Sequence, residues 1–221
     1  MVMVWVALII YVAGLVLTFG VRTVRQLRRT GRSGWVGVSR GTGPAARWGA
    51  AAFGGSLLLG LTGLVIAVAG VVPGPQLPSW VGWVGAAGAV AGIGVVVTSQ
   101  AAMGDAWRIG VDPDERTGLV TSGTFRWARN PIFSGMVLGQ AGVVLMVPSW
   151  PVWLSLLLLI CGVLVQVRAV EKPYLARIHG APYSEYAARV GRFLPGIGCS
   201  PSGSFLDKLI MNRWPVPHGG V

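Results

Sequence analysis

The absence of charge from long stretches of this sequence is the feature that most limits its fold. Five apolar stretches carry no Asp, Glu, Lys or Arg, and they cover residues 2–21, 48–72, 80–103, 131–147 and 152–167. A helix of about 20 apolar residues crosses a bilayer. Only 11% of the chain is charged, whereas soluble domains have about a quarter. The pattern predicts an all-α integral membrane protein of about five transmembrane helices.

The basic residues follow alternate apolar stretches, which predicts the orientation of the chain. Of the 18 Lys and Arg residues, seven fall in 22–47, four in 105–129 and seven from 168 onward, and all seven acids fall in the last two segments. Under the positive-inside rule we expect the N-terminus outside and the C-terminus in the cytoplasm. The net charge of +11 then indicates contact with anionic membrane lipids rather than with nucleic acid.

We predict three regions along the chain. Residues 1–103 form an N-terminal three-helix membrane region with a basic cytoplasmic loop, 22–47. Residues 104–195 combine a polar loop, a C-terminal helical hairpin and a cytoplasmic amphipathic tail of two helices broken at 180–182. Residues 196–221 are a C-terminal extension, in which 205–214 has the composition of a short interfacial helix.

Two groups of polar residues stand where chemistry is possible. Arg126 and Arg129 precede the start of the fourth helix, where guanidinium groups and a helix N-terminus suit an anionic ligand; the alternative is that both are ordinary interface anchors. Glu171 follows the fifth stretch by one turn, where an acid is costly unless it is paired. The alternative to a ligand role for Glu171 is an ion pair with Arg168, three residues earlier in the chain.

Two ordered motifs resemble a known family. The first reads Gly123-x-Phe125-x-x-x-Arg129-Asn130-Pro131-x-Phe133-x-Gly135. It resembles the Gly-x-Tyr-x-x-x-Arg-His-Pro-x-Tyr-x-Gly signature of the isoprenylcysteine carboxyl methyltransferase family, which groups with the phospholipid methyltransferases. The segment from Glu171 to Pro195 resembles the closing motif of that family. The similarity covers residues 118–195.

The resemblance implies a membrane-embedded methyltransferase that uses S-adenosyl-L-methionine and holds it between the last hairpin and the tail. The acceptor implied is lipophilic: a prenyl-linked carboxylate, a lipid amine, a thiol or a small isoprenoid. Arg129 and Asn130 fall on the positions expected to be catalytic. The positions expected to bind the cofactor are Arg129, Asn130, Pro131, Phe133, Glu171, Tyr183, Tyr186, Arg189 and Arg192.

The chain departs from the family pattern at four positions. Asn130 replaces the usual His and removes a titratable group, and Lys172 replaces the second acid of a Glu-Glu pair. Phe125 and Phe133 replace tyrosines. The changes at Asn130 and Lys172 leave open a non-catalytic lipid-binding relative. The second alternative is a membrane NADPH-dependent sterol-type reductase, because membrane sterol reductases have a similar hairpin and tail.

The other polar and small residues have structural interpretations. Two cysteines and two histidines are too few and too scattered for a metal site, and the acids at 112–115 fit a solvated turn. We expect Gln100 and Gln140 to make hydrogen bonds between helices. The small-residue pairs Gly88/Gly92 and Gly135/Gly139 predict close helix packing. The oligomeric state is left open.

Overall fold

The computed structural model of the protein describes residues 1–34, 43–72, 74–75, 77–107 and 118–200. Within these residues the chain forms eight α-helices and no strand longer than an isolated bridge. Two π-helical segments, Val16–Val21 and Gln166–Glu171, join α1 to α2 and α6 to α7. The helices are α1 Val2–Leu15, α2 Arg22–Thr30, α3 Pro44–Val68, α4 Ser79–Met103, α5 Pro131–Met146, α6 Trp150–Val165, α7 Lys172–His179 and α8 Ala181–Arg189.

Four helical segments of the described chain are long and apolar enough to cross a membrane. They are Val2–Thr30, Pro44–Val68, Ser79–Ala106 and Trp150–Arg168. Helix α5 is equally apolar but has 16 residues; at 1.5 Å per residue it is about 24 Å long, against a hydrocarbon core of about 30 Å. The all-helical membrane class is therefore confirmed, and the count of five spans stays a prediction.

Glycines bring α4 and α5 into backbone contact. A Cβ atom on Gly92 would lie 2.5 Å from the carbonyl oxygen of Gly135, and one on Gly85 would lie 2.5 Å from that of Gly142. Since no side chain fits at such a distance, the predicted close packing is confirmed at Gly92 and Gly135. At Gly88, by contrast, a Cβ would meet nothing nearer than 3.9 Å. The second close contact is made by Gly85 and Gly142, which are not among the predicted small-residue pairs.

The charged segments of the described chain share one end of the helix bundle. There, Arg22 donates to the carbonyl oxygen of Gly104, and Arg29 lies 3.4 Å from the Asp105 carboxylate. At the opposite end, uncharged segments meet, with Gly74 against the Pro148 carbonyl group. This separation agrees with the charge pattern of the sequence, and the cytoplasmic assignment of the charged end stays a prediction.

The segment 22–47, expected as a loop, is helical at both ends. Helix α2 continues the first apolar helix to Thr30, and α3 begins at Pro44. Arginine is a good helix former, so the helix ends only at Gly31, whose φ of 71° favours glycine. The loop prediction is therefore wrong for 22–30 and 44–47. Arg40 lies outside the described residues.

The tail helices α7 and α8 are separated at Gly180, which has a φ of 52°. This break coincides with the start of the predicted interruption at 180–182. Helix α3 packs on α6, and α4 packs on α5, so helices from the predicted regions 1–103 and 104–195 form one bundle. The division between these regions stays a prediction. The predicted interfacial helix at 205–214 and the acids at 112–115 lie outside the described residues.

Candidate functional site

The two sequence motifs meet at the start of α5. The backbone N–H of Arg129 donates to the Gly191 carbonyl oxygen at 2.9 Å, and that of Asn130 donates to the Arg192 carbonyl oxygen at 3.0 Å. Ala128 and Gly191 form a short parallel bridge. These bonds satisfy backbone groups ahead of the first turn of α5. They join segments about sixty residues apart into one surface at the charged end.

The side chains of Asn130 and Ser134 strengthen the same junction. Asn130 Nδ2 donates to the Arg192 carbonyl oxygen at 3.2 Å, and Ser134 Oγ donates to the Phe193 carbonyl oxygen at 2.6 Å. Ser134 was not predicted as a site residue. One hydroxyl on a helix gives no sequence signal, because its partner is a backbone carbonyl group that could belong to any residue.

Arg129 is buried within this junction. Its side chain is 8% exposed, and its NH2 group donates to the Gly198 carbonyl oxygen at 2.7 Å. Its Nε has no hydrogen-bond partner in the part of the chain that the structure describes. An arginine that only anchors a helix at the membrane interface would be exposed, so that alternative does not describe Arg129. That alternative fits Arg126 instead, which is exposed and stacks on the exposed Trp127 ring, 5.2 Å from its centroid.

Two buried tyrosines of α8 lie against Arg129. Tyr186 donates its hydroxyl to the Phe125 carbonyl oxygen at 2.6 Å, and burial raises its pKa to about 12. Burial also raises the pKa of Tyr183, while hydrogen bonding and charge from Arg129 act in the opposite direction. Glu171 and Arg192 both act electrostatically on Tyr183. The Tyr183 hydroxyl therefore lies near charged residues of both motifs, namely Arg129, Glu171 and Arg192.

Glu171 is half-buried at the end of the π-helical segment Gln166–Glu171. Burial raises the pKa of its carboxyl group to about 7. The described residues contain no ion pair between Glu171 and Arg168; the pair they do contain joins Arg29 and Asp105. Arg168 is exposed. Residues three positions apart face each other on an α-helix, but the wider π-helical turn changes this spacing. The alternative of an ion pair between Glu171 and Arg168 is therefore not supported.

The remaining predicted residues take different positions. Arg192 is half-buried, and its pKa is lowered by burial and then by the nearby Arg129 and Arg168 charges. Arg189 is exposed in the last turn of α8, and no contact between it and Arg129, Glu171 or Tyr183 is recorded among the described residues. Pro131 is buried in the first turn of α5, as its position before the helix predicted. The side chain of Lys172 lies outside the described set.

Phe133 belongs to an apolar layer below the polar residues. Its ring meets the Phe53 ring edge to face at 6.4 Å. Phe133 and Phe193 both pack against the buried cluster that contains Leu159. Phe193 directly follows Arg192, so this layer lies between the polar junction and the membrane part of the bundle. Phe133 is therefore placed to contact an apolar or aromatic group rather than a charged one.

An apolar cavity of about 70 Å³ lies deeper among the helices. Met136 and Leu159 line it and also pack in the apolar layer around Phe133. The polar side chains at its wall are bonded within the protein. Tyr11 donates to the Leu57 carbonyl oxygen at 2.9 Å, and Gln140 donates to the Ser155 hydroxyl. The interhelical role predicted for Gln140 agrees with this bond.

Gln100 makes the second predicted interhelical bond. Gln100 donates to the Thr18 carbonyl oxygen at 2.9 Å and is buried. In the part of the chain that the structure describes, no three His, Cys, Asp or Glu side chains are grouped to hold a metal ion. Cys161 and Cys199 are free thiols on exposed positions.

These features define the class of protein: an all-helical integral membrane protein with a polar junction at one end of its bundle. Residues 80–182 match the family model of the phospholipid methyltransferases. The match covers the first motif and the start of the closing motif, confirms the family resemblance and indicates a membrane methyltransferase. It does not favour the reductase or the non-catalytic alternative. No curated protein matches the chain.

Proposed function

We propose that the protein transfers a methyl group from S-adenosyl-L-methionine to a lipophilic acceptor at the junction of the two motifs. The observation that carries the proposal is a pair of opposite charges that have no ionic partner among the described residues. Arg129 is buried with its Nε unbonded, and the half-buried Glu171 has no ion pair in the described residues. A buried charge without a partner is costly, so both groups favour a ligand that carries both signs of charge.

The amino-acid part of S-adenosyl-L-methionine fits this requirement. We assign its carboxylate to Arg129, with Arg192 nearby, because a guanidinium group binds a carboxylate through directed hydrogen bonds. We assign its ammonium group to Glu171. Tyr183 and Tyr186 present aromatic rings beside these charges, and such faces suit a sulfonium and an adenine. The exposed Arg189 takes a peripheral place, within reach of the solvent side of the cofactor.

Asn130 acts in this proposal by positioning. Its side-chain amide and its backbone N–H both donate to the Arg192 carbonyl oxygen, so it fixes the tail motif beside Arg129. An amide has no basic site near neutral pH. The cofactor supplies an electrophilic methyl group on sulfur, and the transfer requires alignment and exclusion of water rather than a basic residue. The acceptor atom must therefore arrive as a competent nucleophile.

The surroundings of the junction support a lipophilic acceptor. Phe133 and Phe193 separate the polar residues from the membrane part of the bundle, and Met136 and Leu159 connect that layer to the apolar cavity. Lipid tails and apolar side chains are about equally apolar, so a hydrocarbon chain can pass from the bilayer into this layer with little change in free energy. The apolar layer therefore favours an acceptor whose reactive end meets the junction while its chain remains among the helices.

The proposal is tested by methyl transfer from radiolabelled S-adenosyl-L-methionine to a membrane lipid extract. We expect the purified protein to label a lipid-soluble product, and we expect Arg129→Ala to reduce that labelling at least tenfold, since about 2 kcal/mol of charged hydrogen bonding is lost. Arg177→Ala removes an exposed arginine from α7 and is the matched control. Equal labelling by the Arg129 and Arg177 variants would contradict the proposal.

A further inference from the structure

A second polar cluster lies at the charged end, where α2 meets the turn Gly104–Ala106. Arg22 donates to the Gly104 carbonyl oxygen, and Gln26 Nε2 donates to the Asp105 carbonyl oxygen at 2.9 Å. The Arg22 guanidinium group stacks on the Trp107 ring, 5.0 Å from its centroid. None of these residues belongs to the two motifs. The three side chains are almost fully enclosed, with exposures of 9% for Arg22, 3% for Gln26 and 3% for Trp107.

Two buried polar atoms of this cluster have no hydrogen-bond partner among the described residues. They are Nε of Arg22, a donor, and Oε1 of Gln26, an acceptor. The two residues are four positions apart on one helix, so they share a face, and both side chains reach the same turn. An unsatisfied buried polar atom is destabilising, because it has lost its hydrogen bonds to water without gaining one in the protein. A group that both accepts and donates a hydrogen bond, such as a hydroxyl, would satisfy both atoms at once.

Among the described residues, the charge around the cluster is positive. Arg25 and Arg29 are close enough to Arg22 to interact with it electrostatically, and Asp105 is the acid that offsets them. Asp105 already pairs with Arg29 at 3.4 Å. Arg28 adds a further positive charge on the same helix. The cluster therefore favours an anionic ligand, and the unsatisfied pair favours one that also carries a hydroxyl.

The position of the cluster indicates where such a ligand comes from. Arg22 begins the last turns of the membrane-spanning segment Val2–Thr30. Large apolar side chains on the same segment are 42–50% exposed on both sides of Arg22, namely Leu17, Val21, Val24 and Leu27. Acyl chains lie against such side chains at the membrane end of a helix, and anionic headgroups meet the arginines beside them.

We propose that Arg22 and Gln26 form a binding site for an anionic phospholipid whose headgroup carries a free hydroxyl. The hydroxyl accepts from Arg22 Nε and donates to Gln26 Oε1, and the phosphate lies among the guanidinium groups of α2. This site is separate from the Arg129 junction and does not depend on the proposed methyl transfer.

The test compares lipids that differ only in the hydroxyl. Phosphatidylglycerol and phosphatidylethanol are both anionic phosphodiesters, and only the first has hydroxyl groups on its headgroup. Binding to the detergent-purified protein is measured by native mass spectrometry, with phosphatidylcholine as the uncharged reference. We expect phosphatidylglycerol to bind about fivefold more tightly than phosphatidylethanol, the ratio that about 1 kcal/mol produces. Equal binding of these two lipids would overturn the proposal.

Three variants locate the site. Gln26→Leu should remove the preference for phosphatidylglycerol, because it removes the acceptor while keeping a similar volume. Arg22→Gln should weaken both anionic lipids, whereas Arg47→Gln removes an exposed charge from α3, outside the proposed site, and should leave the preference intact. If Gln26→Leu only lowers the melting temperature without lipid and retains the lipid preference, the residue is merely structural and the proposal fails.

Free glycerol phosphate distinguishes a membrane lipid from a soluble phosphoester. We expect it to compete with phosphatidylglycerol only at concentrations at least a hundredfold higher, because it lacks the buried acyl chains. Equal competition would show that the ligand is a soluble phosphoester and would overturn the assignment to a lipid.

Discussion

At the residue scale, Glu171 gives the candidate site its dependence on pH. Burial raises the pKa of its carboxyl group to about 7, above the ordinary value of 4.5. The group is thus protonated below pH 7 in the free protein, whereas an ammonium group binds the ionised form. A ligand that binds the ionised form lowers the pKa of Glu171 and releases a proton.

We expect the affinity for S-adenosyl-L-methionine to rise as the pH increases from 5.5 to 7. Each pH unit below the free pKa raises the dissociation constant by up to about tenfold. Calorimetric titration across this range measures the slope. Glu171→Gln should abolish the slope, and Glu185→Gln, which changes an exposed acid on α8, should preserve it. An unchanged slope in Glu171→Gln would show that another group titrates.

The stability of the ligand-free protein should change with pH in the opposite sense. Since the folded pKa of Glu171 is raised, its burial becomes unfavourable as the pH rises from about 4.5 to 7 and the group ionises. Glu171→Gln should therefore raise the melting temperature more at pH 8 than at pH 4.5. Thermal unfolding of both proteins at the two pH values measures this difference. A gain that is larger at pH 4.5 would contradict the assigned direction.

At the element scale, the contact between α4 and α5 holds the polar junction against the bundle. Gly92 on α4 meets the backbone of Gly135 and Gly139 on α5, and α5 begins with the residues that bind the tail. A side chain in this contact would separate the two helices. The junction between Asn130 and Arg192 would then move with the first turn of α5.

We expect Gly92→Ala to destabilise the protein by about 1–3 kcal/mol, the usual cost of overpacking a tight contact. Its Cβ would lie 2.5 Å from the Gly135 carbonyl oxygen and from the Gly139 nitrogen. Gly88→Ala is the matched control, because its nearest contact is 3.9 Å. Thermal unfolding in detergent compares the two variants. Equal melting temperatures would mean that the helices do not pack as closely as described.

The sequence predicted the helical class, four of the membrane segments and the two motifs that meet at α5. Each of these features can be read from a short stretch of sequence, since the length of an apolar stretch indicates a membrane helix and the order of a few residues defines a motif. The enclosure of Arg129 and the bond from Ser134 to Phe193 were not predictable, because their acceptors are backbone carbonyl groups of distant residues. The prediction of a loop at 22–30 was wrong because we expected the charged residues to end the helix. The arginines instead continue the helix beyond its apolar part.

At the scale of the whole molecule, the charged end of the bundle unites the proposed catalytic site with the arginine-rich surface of α2. Both would face the same side of the membrane. The orientation predicted from the basic residues places that side in the cytoplasm. Helix α5, about 24 Å long, would then complete a fifth span by local thinning of the bilayer.

Cysteine labelling tests this orientation. Cys199 is exposed in the tail, so in a Cys161→Ser background we expect a membrane-impermeant maleimide to label it in inside-out vesicles alone. In a variant that also carries Cys199→Ser, Ser79→Cys places a thiol at the exposed start of α4 and should react only in right-side-out vesicles. Labelling of both positions from the same side would contradict the predicted number of spans between them.

The most direct test of the central claim is calorimetric titration of S-adenosyl-L-methionine into the purified protein, with NADPH as the matched cofactor. We predict saturable micromolar binding of the methyl donor, no binding of NADPH, and at least a tenfold loss of affinity in Arg129→Ala, since about 2 kcal/mol of charged hydrogen bonding disappears. Arg177→Ala should bind like the unmodified protein. Binding of NADPH without binding of the methyl donor would contradict the assignment of this site.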